Sequence, residues 1–213
     1  MASLLNIGRG LVNHKFLPYD AEIEYLESSG TQYIDTGIKP TNTFKIDLEL
    51  AKVNLNRQDG ICGSYDGVKW GMYLYIAGTI NANVGRYACA YGTNNIFITD
   101  VSYNDTNKHH VILDLTSGGL KTFVDNNLIS TNSYSPINNN TNYYLFRCND
   151  GNVSSQRIAI IKLYYFKIYS NDTLVRDFIP VRIGTTGYMY DKVSKQLFGN
   201  AGTDSFILGP DKH

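Results

Sequence analysis

The chain has 213 residues, enough for one sizeable domain or two small ones. Its 19 Lys and Arg balance 19 Asp and Glu, and no basic run occurs, so the electrostatic footprint of a nucleic-acid binder is missing. At 43% hydrophobic and 18% charged residues, the composition is that of a folded protein and excludes a disordered one.

Aromatics make up 13% of the chain, and 17 of them are Tyr. Asn and Thr are abundant while strong helix formers are sparse, a bias toward pleated, half-buried surfaces joined by turns. The opening segment differs from the rest. Residues 1–20 read as an N-terminal arm that ends near Pro18 to Ala21, and residues 21–213 read as one sandwich domain. Leu4, Leu5, Ile7, Leu11 and Val12 cannot build a core in so short a segment, so they are assigned to an assembly interface. Asn6, Gly8, Arg9 and Gly10 break any secretory h-region. No stretch approaches the ~20 apolar residues of a membrane span.

From there the periodicity is that of strands. Phe44 to Leu50 alternates apolar and charged residues. Trp70 to Ile76, Arg86 to Tyr91 and His109 to Leu115 follow, each closed by glycine-containing or polar turns. Lys121 to Val124 and Leu128 to Ser130 flank Asp125-Asn126-Asn127, which predicts a tight hairpin. Tyr143 to Arg147, Ile158 to Tyr169 and Leu174 to Ile179 complete the series. No helix of ten or more residues is expected after position 20. Short strands at regular spacing with polar turns predict an all-β, antiparallel two-sheet sandwich or jelly roll.

Cys62, Cys89 and Cys148 are odd in number and lack CxxC spacing, so they indicate neither a zinc site nor a disulfide framework. They sit in apolar or aromatic runs, where free cysteine packs as a small hydrophobe.

Two stretches resemble a known fold family. The first is Ile23 to Gly37. The second runs from Tyr165-Phe166-Lys167-Ile168-Tyr169 through Leu174 to Arg182, then Gly187 to Asp191, and on to Asn200-Ala201-Gly202-Thr203. Together they resemble the opening and closing strands of concanavalin A-like, laminin-G-like jelly rolls found in bacteriophage virion proteins and gut-bacterial surface proteins. Fold alone says little about function, because such sandwiches host lectins, adhesion modules, glycosidases and capsid parts. The matching residues also serve structure: Gly30, Gly37 and Gly187 suit turns, Asp177 and Asp191 accept backbone hydrogen bonds, and Pro180 ends a strand.

Catalysis is not expected. Glu22-Ile23-Glu24-Tyr25-Leu26-Glu27 resembles the ExDxxE strand of laminarinase-type glycosidases, whose two carboxylates flank the sugar. Here the central residue is Glu, the pattern opens the domain, and a single Trp is a poor supply for a sugar cleft. His109 and His110 are adjacent, so on a strand they point to opposite faces and cannot share a metal. The resemblance leaves room for one calcium ion, with Asp59, Asp66, Asn104 and Asp105 in loop-like stretches, but no motif demands one and no cofactor is expected.

For ligand recognition the candidates are aromatics in or near loops, Tyr65, Trp70, Tyr73, Tyr91 and Tyr103, with Arg86. Such rings stack on the apolar face of a sugar while polar side chains fix its hydroxyls. Two roles follow. The sequence favours a virion component (head or tail decoration, fibre or adaptor subunit) that assembles in the host cytoplasm. Its partners would be other virion subunits, further copies of itself and host surface glycans. The alternative is a carbohydrate-binding or adhesion module at a bacterial cell surface.

Overall fold

The computed structural model describes residues 17–55, 57–77, 85–93, 95–116, 118–133, 139–150 and 157–213. In chain order the strands are β1 (Ala21–Glu22), β2 (Leu26–Glu27), β3 (Ile34–Asp35), β4 (Phe44–Lys52), β5 (Asp59–Ser64) and β6 (Trp70–Ile76). Next come β7 (Arg86–Gly92), β8 (Asn95–Ser102), β9 (Lys108–Asp114), β10 (Leu120–Val124), β11 (Asn127–Asn132) and β12 (Tyr144–Leu145). The last are β13 (Cys148–Asn149), β14 (Ile161–Ser170), β15 (Thr173–Ile183), β16 (Thr186–Asp191), β17 (Gln196–Phe198) and β18 (Ile207–Leu208). They form two sheets. The larger runs β11-β10-β9-β4-β14-β15-β16-β17, with β1 on β15 and with β2 pairing β14 and β18. The smaller runs β3-β12-β5-β6-β7-β8, with β13 alongside β5 in parallel. The antiparallel two-sheet sandwich expected from the sequence is what forms.

Alternation explains the packing. In β4, Phe44, Ile46, Leu48 and Leu50 are buried, while Lys45, Asp47 and Glu49 keep to the other face. Val111 and Leu113 of β9 and Leu163, Phe166 and Ile168 of β14 continue that inner surface. The smaller sheet answers with Cys62, Met72, Leu74, Ile76, Tyr87, Cys89 and Tyr91. Each large side chain so buried contributes roughly 1.5–3 kcal/mol against the ordering entropy of the chain. The three cysteines are free and buried. Burial pushes the Cys62 thiol up to about 12, so it packs as a hydrophobe rather than reacting.

The hairpin at Asp125 forms as expected, with φ of 50° and 66° at Asp125 and Asn126, the left-handed pair of a type I′ turn. His109 and His110 do face opposite ways: His109 meets Asp105 and Asp125, and His110 meets Asp47. Other expectations are corrected. The run Tyr143 to Arg147 is not one strand: only Tyr144–Leu145 (β12) pairs, Phe146 turns the chain at φ 66°, and β13 follows beyond the run, with both β12 and β13 docked on β5. Pro180 does not end a strand. It lies within β15 opposite Met189, and its carbonyl accepts from the Ile23 amide. Since a residue's N–H and C=O point to the same side of a strand, the missing donor falls on the side of short β1 and costs no bond to β16.

Leu4, Leu5, Ile7, Leu11 and Val12 lie outside the described residues. Tyr19 and Asp20, which the sequence places in the arm, already touch the sandwich. The Tyr19 ring packs against Tyr190, and the Asp20 amide donates to the Arg182 carbonyl. No helix among the described residues is long and apolar enough to cross a membrane.

Candidate functional site

Three of the six candidate residues come together on the outer face of the smaller sheet. A β-bulge between Trp70 and Tyr73, with Met72 at φ 54°, turns both rings to that face while Met72 and Leu74 stay inside. Tyr65, Trp70, Tyr73 and Tyr75 then stack in series, with ring centroids 4.4, 5.1 and 5.1 Å apart and planes 17–30° from parallel. The Arg157 guanidinium lies 4.7 Å from the Trp70 ring and is held by Asp150 at 2.8 Å. Tyr73 is only 4% exposed. The ladder therefore spends its ring faces on itself and on Arg157, leaving little for a ligand.

The other candidates lie elsewhere. Arg86 shares the outer face of β7 with Ala88 and Ala90. Tyr91 is on the opposite side of that strand, fully buried in the core. Tyr103 packs edge-on against His109, 4.9 Å away, near the far end of the smaller sheet.

Open space lies across the molecule. A groove of about 450 Å³ crosses the outer face of the larger sheet, lined by Glu24, Glu49, Lys108, Tyr164, Tyr165, Lys167, Asp177, Ile179, Lys192 and Lys212. The ladder between β14 and β4 skips one residue, so Leu163 pairs with Leu50 and Tyr165 with Glu49. That bulge lets consecutive Tyr164 and Tyr165 both leave the core side, while Leu163 and Phe166 on either side of them stay buried. Glu24 and Lys212 close one end, where residues 22–25 run beside 209–212 through the bonds Glu24 N–H to Pro210 O and Lys212 N–H to Glu22 O.

The polar groups are partly paired. Lys108 reaches Glu49 at 3.5 Å and lies 4.7 Å above the Tyr164 ring. Lys192 meets Asp177 Oδ2 at 3.1 Å, whereas the buried Asp177 Oδ1 has no hydrogen-bond partner among the described residues. Lys167 sits 5.4 Å from the Tyr165 ring. Among the described residues, neither Lys167, Lys212 nor Glu24 forms an ion pair. The Tyr165 hydroxyl donates to Asp47 at 2.8 Å. Burial first, and that bond second, hold its pKa well above the usual tyrosine value, so it remains a neutral donor.

The acidic pattern at the start of the domain is divided between elements. Glu22 is in β1 on β15 and accepts from the Tyr19 hydroxyl, Glu27 is in β2 beside Lys162, and exposed Glu24 falls between them. The oxygen-bearing residues considered for calcium are equally dispersed. Asp59 is buried beside Arg57, Asp66 caps the amides of Val68 and Lys69, Asn104 accepts weakly from Lys52, and Asp105 meets His109. Among the described residues no group of three or more His, Cys, Asp or Glu is placed to hold a metal ion.

No protein-family model matches the chain, and no curated protein matches it in sequence. Solved structures do. A candidate carbohydrate-binding protein from Bacteroides ovatus aligns with a TM-score of 0.65 at 13% identity, over 90% of this chain and 61% of that one. The chain thus spans about three fifths of that protein's length. A pentraxin of Limulus polyphemus resembling serum amyloid P aligns at 0.55 and 10% identity, over 91% of this chain and 96% of that one. The CBM40 module of the Ruminococcus gnavus IT-sialidase aligns at 0.54 and 16%, over 70% and 93%. The fold is a concanavalin A-like jelly roll. At these identities the likeness concerns the fold alone.

The groove was missed by sequence reasoning because its lining comes from positions 24 to 212. One local signal existed, the run Lys162 to Tyr169, in which Lys and Tyr alternate with buried Leu163, Phe166 and Ile168.

Proposed function

We propose that the chain is a non-catalytic carbohydrate-binding module and that the sugar sits in the groove over Tyr164 and Tyr165. The observation that carries this reading is the groove itself. Its volume lies within the ~300–1,000 Å³ usual for small-ligand sites, its floor has two tyrosines, and its rim has unpaired charged groups. Lys108 and Lys167 lie over the Tyr164 and Tyr165 rings, so a pyranose stacks there by displacing an ammonium group from a ring face, after which the lysines and rim groups fix its hydroxyls. Two of the three fold neighbours are named for carbohydrate binding, which favours the surface-module role over the virion role. In this reading the protein works outside the cell or at its surface, with glycans as partners. The residues assigned to an assembly interface have no part in it.

Binding is not followed by bond cleavage in this proposal, since the Glu22 and Glu27 carboxylates belong to different short strands. The test is a glycan array followed by calorimetry on wild-type protein and Tyr164→Ala. At least one glycan class should bind, the variant should weaken it about tenfold or more, and β-glucans should stay intact to the same degree as with Glu24→Gln. Unchanged binding by Tyr164→Ala would move the site elsewhere. Hydrolysis lost in Glu24→Gln would make the protein an enzyme.

A further inference from the structure

We infer that the sugar taken by the groove carries a carboxylate. The inference rests on the reading of the groove as a glycan site and names the class of glycan. Four lysines and three carboxylates line the groove. Lys108 with Glu49 and Lys192 with Asp177 cancel in pairs, leaving the ammonium groups of Lys167 and Lys212 against the single carboxylate of Glu24. Counted over the lining, the balance is one positive charge. Asp47 stands beside Lys167 across the strands, behind the Tyr165 hydroxyl, so the attraction for an anion rests on the two ammonium groups without ion pairs among the described residues rather than on the field of the whole face.

The hydrogen-bonding inventory points the same way. Lys167 and Lys212 are donors only, and a neutral sugar offers them weak hydroxyl acceptors, whereas a carboxylate offers charge-assisted ones. Glu24 is an exposed acceptor that a ring hydroxyl matches, whereas Asp177 Oδ1 is too deeply buried for a ligand to reach. A ligand with one carboxylate and neighbouring hydroxyls on a ring satisfies both sets at once.

Uronic acids and sialic acids share this chemistry, so both belong in the test. Calorimetry would compare trigalacturonate with its methyl ester, and N-acetylneuraminyl-lactose with its methyl ester, because esterification removes the charge and keeps the shape. At low salt, at least one free acid should bind about tenfold or more tighter than its ester, and the preference should shrink as salt rises. Lys167→Gln and Lys212→Gln should each erase most of that preference without shifting the melting temperature. Equal binding of acid and ester, or a preference kept in both lysine variants, would overturn the inference. Binding only of neutral glycans, still sensitive to Tyr164→Ala, would overturn it while leaving the glycan site standing. If no saccharide binds in the array or in calorimetry, both readings fall together.

Discussion

Trp70 and Tyr73 are three residues apart on one strand, yet their rings lie on the same side of it, 5.1 Å apart and 17° from parallel. Strict alternation would put them on opposite faces; the bulge at Gly71 and Met72 brings them together. With Tyr65 on its other flank and Arg157 close by, Trp70 is a wall of the fold more than a platform for a ligand. Trp70→Ala should therefore lower stability by about 2–4 kcal/mol, combining lost burial with lost stacking, and leave glycan affinity unchanged. Denaturant unfolding and calorimetry measure the two effects separately. Normal stability with abolished glycan binding would place the site on this face, with Tyr65 and Tyr73 as its neighbours.

Gly63 makes the same ladder possible from the adjoining strand. A Cβ there would lie 2.7 Å from the Tyr73 Cα and 2.9 Å from its Cβ, so the two backbones approach as closely as they do only because a side chain is missing. Gly63→Ala should cost more than Gly67→Ala: the first meets the Tyr73 backbone as well as an unfavourable φ of 155°, whereas the second, with nothing within 4 Å of its Cβ, carries only the strain of its φ of 94°, about 1–2 kcal/mol. Equal melting temperatures for Gly63→Ala and the wild type would show that β5 and β6 are more loosely packed than described.

Asp191 links acidity to stability. Its fully buried carboxylate accepts from the amides of Asp177 and Val193 through Oδ1 and of Ser194 through Oδ2. Burial alone would raise its pKa, but these donors outweigh burial and bring it below the ordinary carboxylate value of 3.8. With the folded value below the unfolded one, the stabilisation is present above about pH 4 and disappears as pH falls through the folded value. Asp191→Asn should thus be less stable than wild type at pH 7, by on the order of 2–3 kcal/mol, with the gap closing below pH 4. A gap that stays constant from pH 7 to pH 3 would show that the charge is not what the amides hold.

Much of the fold could be read in the sequence because alternation is local. Phe44 to Leu50, Trp70 to Ile76 and the Asp125 hairpin each declare themselves within a few residues. Alternation on β7 also assigns Tyr91 to the side of Tyr87 and Cys89, the core side, a signal the loop-centred choice of candidates overlooked. β5 is missing from the strands expected from the sequence, because Gly60 and Gly63, which clear room for Tyr73, interrupt its apolar run around Cys62. The bulges in β6 and β14 could not be read, since one extra residue reverses the inference about faces without changing composition. The groove could not be assembled either, because only the completed sheet brings Glu24 and Lys212 beside Tyr164.

The most direct test of the central claim is to map a bound glycan by amide chemical-shift perturbation in the full chain, using the best binder from the array. Saturating shifts should concentrate on β4, β9, β14 and β15 around Glu49, Lys108, Tyr164, Tyr165 and Asp177, and the amides of Tyr65, Trp70 and Tyr75 should stay in place. Shifts confined to β5, β6 and β7, with the groove amides unmoved, would contradict the account.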